Sequence, residues 1–231
     1  MIVALTSRAG HSGAMLNDHL LFIDGEAIVV DKPAGLPVDP PRDGSMSVAN
    51  QLQSLAFGFK RWPQPVHRLD RDTSGCLLLS RNPKAHGRFT QAFEAGRVEK
   101  VYLAVLDGIP RDAEGVVDMA LAKVSTRETG WRMVGDPKGK VATTAWRVIA
   151  SVDGRALVEF RPTTGRTHQI RVHAASGIGV PIIGDPVYGK SGRPMLLHAL
   201  SLTVQRDGKP AIEARAPLPA GFAALGFSEP A

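Results

Sequence analysis

Five ionisable residues fall in the six positions 67–72: His67, Arg68, Asp70, Arg71 and Asp72. They sit between Pro65 and Gly75, just ahead of a short apolar run. A second charged segment runs from Arg161 to His173 and holds Arg161, Arg166, His168, Arg171 and His173. Arg171 lies between Ile170 and Val172, beside the apolar positions of a short helix, so it enters a partly buried setting. An arginine there needs a carboxylate partner, and Asp70 is a candidate. Composition alone also allows a plainer reading of the first segment, a solvated charged loop.

Other chemistries find little support. Gly184-Asp185-Pro186-Val187-Tyr188-Gly189-Lys190-Ser191 fits the P-loop formula letter for letter. A P-loop requires a helix to start at the Gly-Lys-Ser so that backbone N–H groups surround the phosphates. Gly192 and Pro194 fall in that first turn and a half and oppose it. The next apolar run, 196–204, has no aspartate for magnesium. His168 and His173 are five apart, whereas a helical zinc pair needs four. A serine-hydrolase elbow and a dinucleotide fingerprint are both missing. The chemistry therefore needs no nucleotide, metal or thiol.

These segments need a scaffold. Leu20–Ile23 and Ala27–Val30 flank Asp24-Gly25, the pattern of a hairpin. Prolines 33, 37, 40 and 41 then enforce a loop. Val48, Leu52 and Leu55 recur at helical spacing behind Ser45 or Ser47. A strand over 76–80 follows, then a helix capped by Asn82, with Pro83 at its first position and its end near Gly96. Residues 98–106 read as a strand with Val101, Leu103 and Val105 on one face and Lys100, Tyr102 and Ala104 on the other. Further strands are expected at 115–124, 141–151, 155–161, 196–204 and 211–214, with a helix over 167–176 stopped by Gly177. Strands grouped in this way predict an α+β fold, a largely antiparallel mixed sheet with flanking helices, not an alternating βαβ array.

Several of these strings resemble one family, the RluA-type RNA pseudouridine synthases. His67-Arg68-Leu69-Asp70 followed by Thr73-Ser74-Gly75 is similar to its signature. Asp31-Lys32-Pro33-Ala34-Gly35-Leu36 resembles its N-terminal K-P-x-G element, and Lys100-x-Tyr102 its tyrosine strand. Gly165 to His173 is similar to its arginine helix, and Gly184-Asp185 with Tyr188-Gly189 to the turn after it. The resemblance spans about residues 19–216. It explains the P-loop match as a G-D-x-x-Y-G turn with an accidental Lys-Ser.

The resemblance implies a pseudouridine synthase fold with a central catalytic cleft, and isomerisation of uridine in structured RNA. The target base must first be flipped out of its stack, at a cost of a few kcal/mol. Asp70 matches the catalytic aspartate, acting ionised as nucleophile or as base on the ribose. Tyr102 matches the tyrosine that stacks on uracil, and Arg171 the arginine that lowers the Asp70 pKa. Arg68 matches the residue that fills the space left by the flipped base. His67, Arg166, His168 and Gln169 are the remaining expected substrate contacts, His67 with a structural role as the alternative. No cofactor is implied. The expected target is a ribosomal RNA stem-loop, with transfer RNA as the alternative. A catalytically silent RNA-binding module is the reading from another class, and the intact Asp70, Tyr102 and Arg171 set argues against it.

Composition agrees. The chain has 231 residues, 28 basic against 22 acidic, for a net charge of +6. That balance favours polyanionic partners, with Arg61, Arg71, Arg166 and Lys190 expected to meet phosphates. A hydrophobic fraction of 43% builds a sizeable core and excludes disorder for the body of the chain. No apolar run nears the ~18 residues of a membrane span. The lone Cys76 permits no internal disulfide and points to a reducing cytoplasm. Residues 1–18 are expected to be a flexible arm, and 19–231 a catalytic domain with no separate N-terminal RNA-binding domain, working as a monomer.

Overall fold

The structure, a computed structural model, describes residues 15–128 and 130–230. The chain divides into two compact units. The first takes the chain as far as Val98 and again from Ser201 to Ala216; the second takes Glu99–Leu200 and the chain from Pro217 onward.

Strands β1 (Leu20–Ile23) and β2 (Ala27–Lys32) open the first unit as the expected antiparallel hairpin. The Asp24 carboxylate closes its turn, accepting the N–H of Glu26 at 2.8 Å and of Ala27 at 2.9 Å. The expected arm is corrected at its end. Residues 1–14 lie outside the described part, but Leu16–His19 form a 3-10 turn, Leu16 is buried, and its N–H donates to the Gln51 side chain at 2.8 Å. Helix α1 (Val48–Gln51) starts at Ser47 and tightens into a 3-10 turn through Leu55, burying Val48, Leu52 and Leu55.

Strand β3 (Gln64–Pro65) pairs with β4 (Ser74–Ser80), which also pairs with β2. Every residue of β4 is buried. Its Cys76 and Leu78 pack with Ala27 and Val29 against Ala85, Phe89 and Ala92 of α2 (Pro83–Glu94). Asn82 caps α2 as expected, its side-chain oxygen accepting the Ala85 N–H at 2.9 Å.

The second unit holds β5 (Val98–Leu106) from Glu99 onward, β6 (Glu114–Asp118), β7 (Leu121–Thr126), β8 (Gly130–Gly135), β9 (Thr143–Val152) and β10 (Arg155–Pro162). Strands β5, β10, β9 and β6 run side by side, each antiparallel to its neighbour. The single strand expected over 115–124 is in fact β6 and β7, and β7 forms a separate hairpin with β8. Strand β8 has no counterpart in the sequence reading because its side chains are mostly exposed and leave no buried alternation.

The alternation along β5 is as expected, but both of its faces are covered. Leu103 and Val105 pack with Leu157, Phe222 and Phe227, and Tyr102, Ala104 and Leu106 pack with Trp146, Phe160 and Ile170. Helix α3 (Gln169–Val172) is shorter than the sequence predicts and widens into a π turn over His173–Ile178. Its stop is Gly179, at φ +86°, not Gly177. Gly177 serves close packing instead, since a Cβ there would lie 2.5 Å from the Val117 side chain.

Strand β11 (Leu197–Arg206) begins in the second unit and ends in the first, where it pairs with β12 (Lys209–Arg215). The short helix α4 (Ala220–Ala223) carries the buried Phe222. No helix among the described residues is long and apolar enough to cross a membrane.

Candidate active site

Asp70 stands on a loop that is held from three sides within the first unit. On its N-terminal side the loop zips along β4: Val66 N–H donates to the Leu78 carbonyl at 3.1 Å, and Leu78 N–H donates to His67 Nε2 at 3.0 Å. The His67 ring stacks on Phe93 of α2, with centroids 4.5 Å apart. His67, expected to meet substrate, is thus also a strut of the loop. On the C-terminal side Thr73 N–H closes a turn on the Asp70 carbonyl at 3.1 Å.

The third support comes from below. The Arg71 carbonyl accepts Gly35 N–H at 2.9 Å and Lys32 Nζ at 3.0 Å. Lys32 is fully buried, and its Nζ also donates to the carbonyls of Pro33 at 2.8 Å and Leu36 at 2.7 Å. An ammonium has three N–H donors, and here three carbonyls receive them. The K-P-x-G segment and the aspartate loop are thereby tied through one nitrogen. Gly35, at φ +85°, supplies a backbone turn that other residues resist.

Burial pushes the Lys32 ammonium down to about 7, against the pull of Asp72, Asp70 and Asp31. Leu69 is buried and Asp70 half-buried, while Arg68 and Arg71 are exposed and ion-paired to Asp39 and Asp72, each at 3.0 Å. Burial also drives the Cys76 thiol up to about 12, which removes it as a nucleophile at neutral pH.

In the second unit the arginine helix is anchored at both ends. His168, at φ +54°, turns the chain into α3, and its Nδ1 lies 2.9 Å from the Tyr188 hydroxyl. Trp131 of β8 covers the His168 ring, centroids 5.0 Å apart, and Met133 N–H donates to the same Tyr188 oxygen at 2.9 Å. Gln169, expected to contact substrate, is buried within its own unit. Its buried carboxamide accepts from Thr164 Oγ1 and Arg166 N–H, and donates to the Thr143 carbonyl and Thr144 Oγ1. Four hydrogen bonds within the unit make it a buckle between the 163–166 loop and β9. Arg166 is exposed, with its Nε on the Val141 carbonyl at 3.0 Å.

Arg171 has a carboxylate partner in its own unit, and that partner is Asp185. Nε donates to Oδ2 at 2.7 Å and Nη2 to Oδ1 at 2.8 Å, with both side chains buried. Asp185 Oδ1 also accepts the N–H groups of Val187 and Tyr188. The Arg171 guanidinium lies 5.2 Å from the centre of the Tyr188 ring. Sequence reasoning saw Gly184-Asp185 only as part of a turn, so this partnership went unread. Tyr102, on β5, is half-buried against the cluster that includes Ile170 of α3.

No helix begins at Lys190, whose exposed ammonium pairs with Asp107 at 3.4 Å, so the P-loop reading is closed. Among the described residues no group of histidine, cysteine, aspartate or glutamate side chains is placed to hold a metal.

A carboxylate loop locked by a buried lysine, and an arginine helix locked by a buried aspartate, appear on a strand-rich α+β scaffold. Residues 26–176 match the RNA pseudouridylate synthase family. An uncharacterized RNA pseudouridine synthase of Zymomonas mobilis is 57% identical over 217 residues, covering 92% of this chain and 99% of its own. Ribosomal large subunit pseudouridine synthase D of the same organism is 38% identical, over 81% of this chain and 61% of its own length. Among solved structures, human RNA pseudouridylate synthase domain containing 4 superposes with a TM-score of 0.78 at 26% identity, covering 94% of this chain and 96% of that one. The chain belongs to the RluA-type RNA pseudouridine synthases. It isomerises uridine in RNA to pseudouridine.

Proposed function

We propose that the substrate is ribosomal RNA, that Asp70 is the essential carboxylate, and that Tyr102 and Arg171 complete the catalytic set. Relatives named as ribosomal large subunit synthases support the choice of RNA. The observation that carries the role of Asp70 is the fixed loop beneath it, with Lys32 and Gly35 on the Arg71 carbonyl and Thr73 on that of Asp70. A group that must meet a ribose carbon or proton within a few tenths of an ångström needs that rigidity. Arg171 is oriented in advance by the buried carboxylate of Asp185. Tyr102 stacks on the uracil while the base turns. Arg68, solvent-facing and paired at the surface with Asp39, swings into the helix that the base has left.

The reaction breaks the N-glycosidic bond and joins C5 to the ribose with no net redox change. It proceeds on a monomer without nucleotide, metal or other cofactor. Arg61, Arg71, Arg166 and Lys190 contact phosphates of a local stem-loop.

Mapping pseudouridines in ribosomal and transfer RNA from a strain lacking this protein tests the target. The expected result is loss at one or a few ribosomal positions, restored by wild type and not by Asp70→Ala. Loss confined to transfer RNA overturns the target, and restoration by Asp70→Ala overturns the residue. Purified Asp70→Ala should bind RNA as wild type does, since affinity rests mainly on phosphate contacts.

A further inference from the structure

A loop of the first unit, residues 57–62, has the sequence Phe57-Gly58-Phe59-Lys60-Arg61-Trp62. All six residues are exposed, although Leu55 before them and Pro63 after them are buried. Phe57, Phe59 and Trp62 are 42%, 41% and 53% exposed, which is unusual for three large rings in six positions. None of the three is a buried residue, and none takes part in the hydrogen bonds that hold the aspartate loop.

The backbone is built to keep the rings outward. Phe57 sits at φ +43° and Gly58 at +81°. A bulky residue in that region is strained, and the strain persists only where surrounding structure enforces it. Here Arg81 enforces it. Arg81 is 7% exposed, and its guanidinium donates to the carbonyls of Asp24 at 2.7 Å, Ala56 at 3.1 Å and Phe57 at 3.3 Å. The same guanidinium lies 3.7 Å beneath the Phe59 ring, so one face of that ring rests on a cation while the ring remains partly open to solvent.

We infer that residues 57–62 form a stacking platform for unpaired nucleobases of the RNA substrate, beyond the target uridine, with Lys60 and Arg61 meeting the adjoining phosphates. Rings on both sides of a Lys-Arg pair suit a strand of flat bases joined by phosphates. A partner protein surface of ordinary composition gains nothing from two lysine-arginine charges set between the rings, and a chain of net charge +6 draws in a polyanion. Stacking of this kind is tolerant of sequence. The platform therefore extends the grip on single-stranded flanks without reading them. The inference rests on the assignment of an RNA substrate, and its test is a binding measurement that needs no turnover.

The probe is a fluorescein-labelled single-stranded 12-mer of uridylate, compared with a blunt 12-base-pair RNA duplex, on the full chain. Phe57→Asn removes a ring with a residue that accepts the left-handed backbone, and Trp62→Ala removes the most exposed of the three rings; Phe59→Leu keeps a side chain over Arg81. Each should weaken binding of the single strand about tenfold, with duplex binding unchanged and the slope of log affinity against log salt preserved. Lys60→Ala and Arg61→Ala should instead each lower that slope by about 0.7. Wild-type affinity in all three ring variants overturns the platform. So does an equal loss for duplex, or concentration-dependent self-association of the wild type that the ring variants abolish, which would mark a site for a second copy. Turnover on ribosomal RNA is measured separately. Ring-independent binding with turnover intact sinks the platform and leaves the catalytic reading standing, and ring-dependent binding without turnover does the reverse.

Discussion

Arg171 and Asp185 face each other through two parallel hydrogen bonds of 2.7 and 2.8 Å, both side chains buried, fourteen residues apart in the chain. The fork of the guanidinium fits the two carboxylate oxygens, and the N–H groups of Val187 and Tyr188 take up further valence on Oδ1. The Gly-Asp turn after the arginine helix is therefore a mount for the arginine.

Asp185→Asn should destabilise the protein by about 3–5 kcal/mol at pH 7, because it removes the charge from the carboxyl that the buried guanidinium grips at 2.7 and 2.8 Å. Burial raises the Asp185 pKa, but the hydrogen bond and charge of Arg171 and the two backbone N–H groups outweigh it, so the net value falls below the ordinary 3.8. A carboxyl with a depressed folded pKa stabilises above its unfolded pKa, and the contribution fades as pH falls through the folded value. The gap between wild type and variant in urea unfolding should thus narrow below about pH 4. A gap that stays constant down to pH 2 would show that the pair is not ionic.

Arg171→Lys keeps the charge and loses the planar fork. Turnover should fall about a hundredfold through misplacement of the cation, while the Kd for RNA stays within about threefold of wild type. Single-turnover kinetics beside filter binding will separate the two. Equal losses in both would make Arg171 a binding residue.

Lys32→Met should leave the carbonyls of Pro33, Leu36 and Arg71 without their shared donor, at about 1–3 kcal/mol each at most. Burial holds the folded Lys32 pKa at about 7, far below its ordinary 10.5. Between those values the unfolded chain binds more protons than the folded one, so wild-type stability rises with pH from about 7 to about 10.5. The variant should lack this rise. Urea midpoints at pH 7, 8.5 and 10 measure it, and parallel curves for the two proteins would refute the titration.

Gly184→Ala and Gly179→Ala make a matched pair. Both positions have positive φ, +76° and +86°. A side chain there costs about 1–2 kcal/mol in strain. At Gly179 nothing stands near an added Cβ, so the loss should stop at that figure; at Gly184 the Cβ would overlap the Pro194 carbonyl oxygen, and the loss should be larger. Thermal unfolding of the two variants checks the order. A Gly184→Ala protein as stable as Gly179→Ala would mean that the 193–194 segment yields easily.

Much of this protein is written locally in its residues. The hairpin at Asp24-Gly25, the Asn82 cap with Pro83, and the alternation from Val98 to Leu106 are short-range patterns whose physics lies within a few residues, and the structure carries each of them. The motif strings around Asp70 and Arg171 were legible through their resemblance to a family, since composition alone left the first of them open to reading as a plain charged loop. Elements whose form depends on distant neighbours were not. Strand β8 holds few buried side chains, so it left no periodic trace, and α3 opens into a π turn with Gly177 pressed against Val117.

Partnerships were the least legible. That Lys32 would hold the Arg71 carbonyl thirty-nine residues away, and that Gln169 would spend its carboxamide inside its own unit, follow from how loops meet in space. Sequence determined which residues could be ionised, stacked or turned at each place. Only the tertiary structure decided which of them meet, because a buried charge takes the partner that desolvation forces on it, and no spacing rule in the chain names that partner.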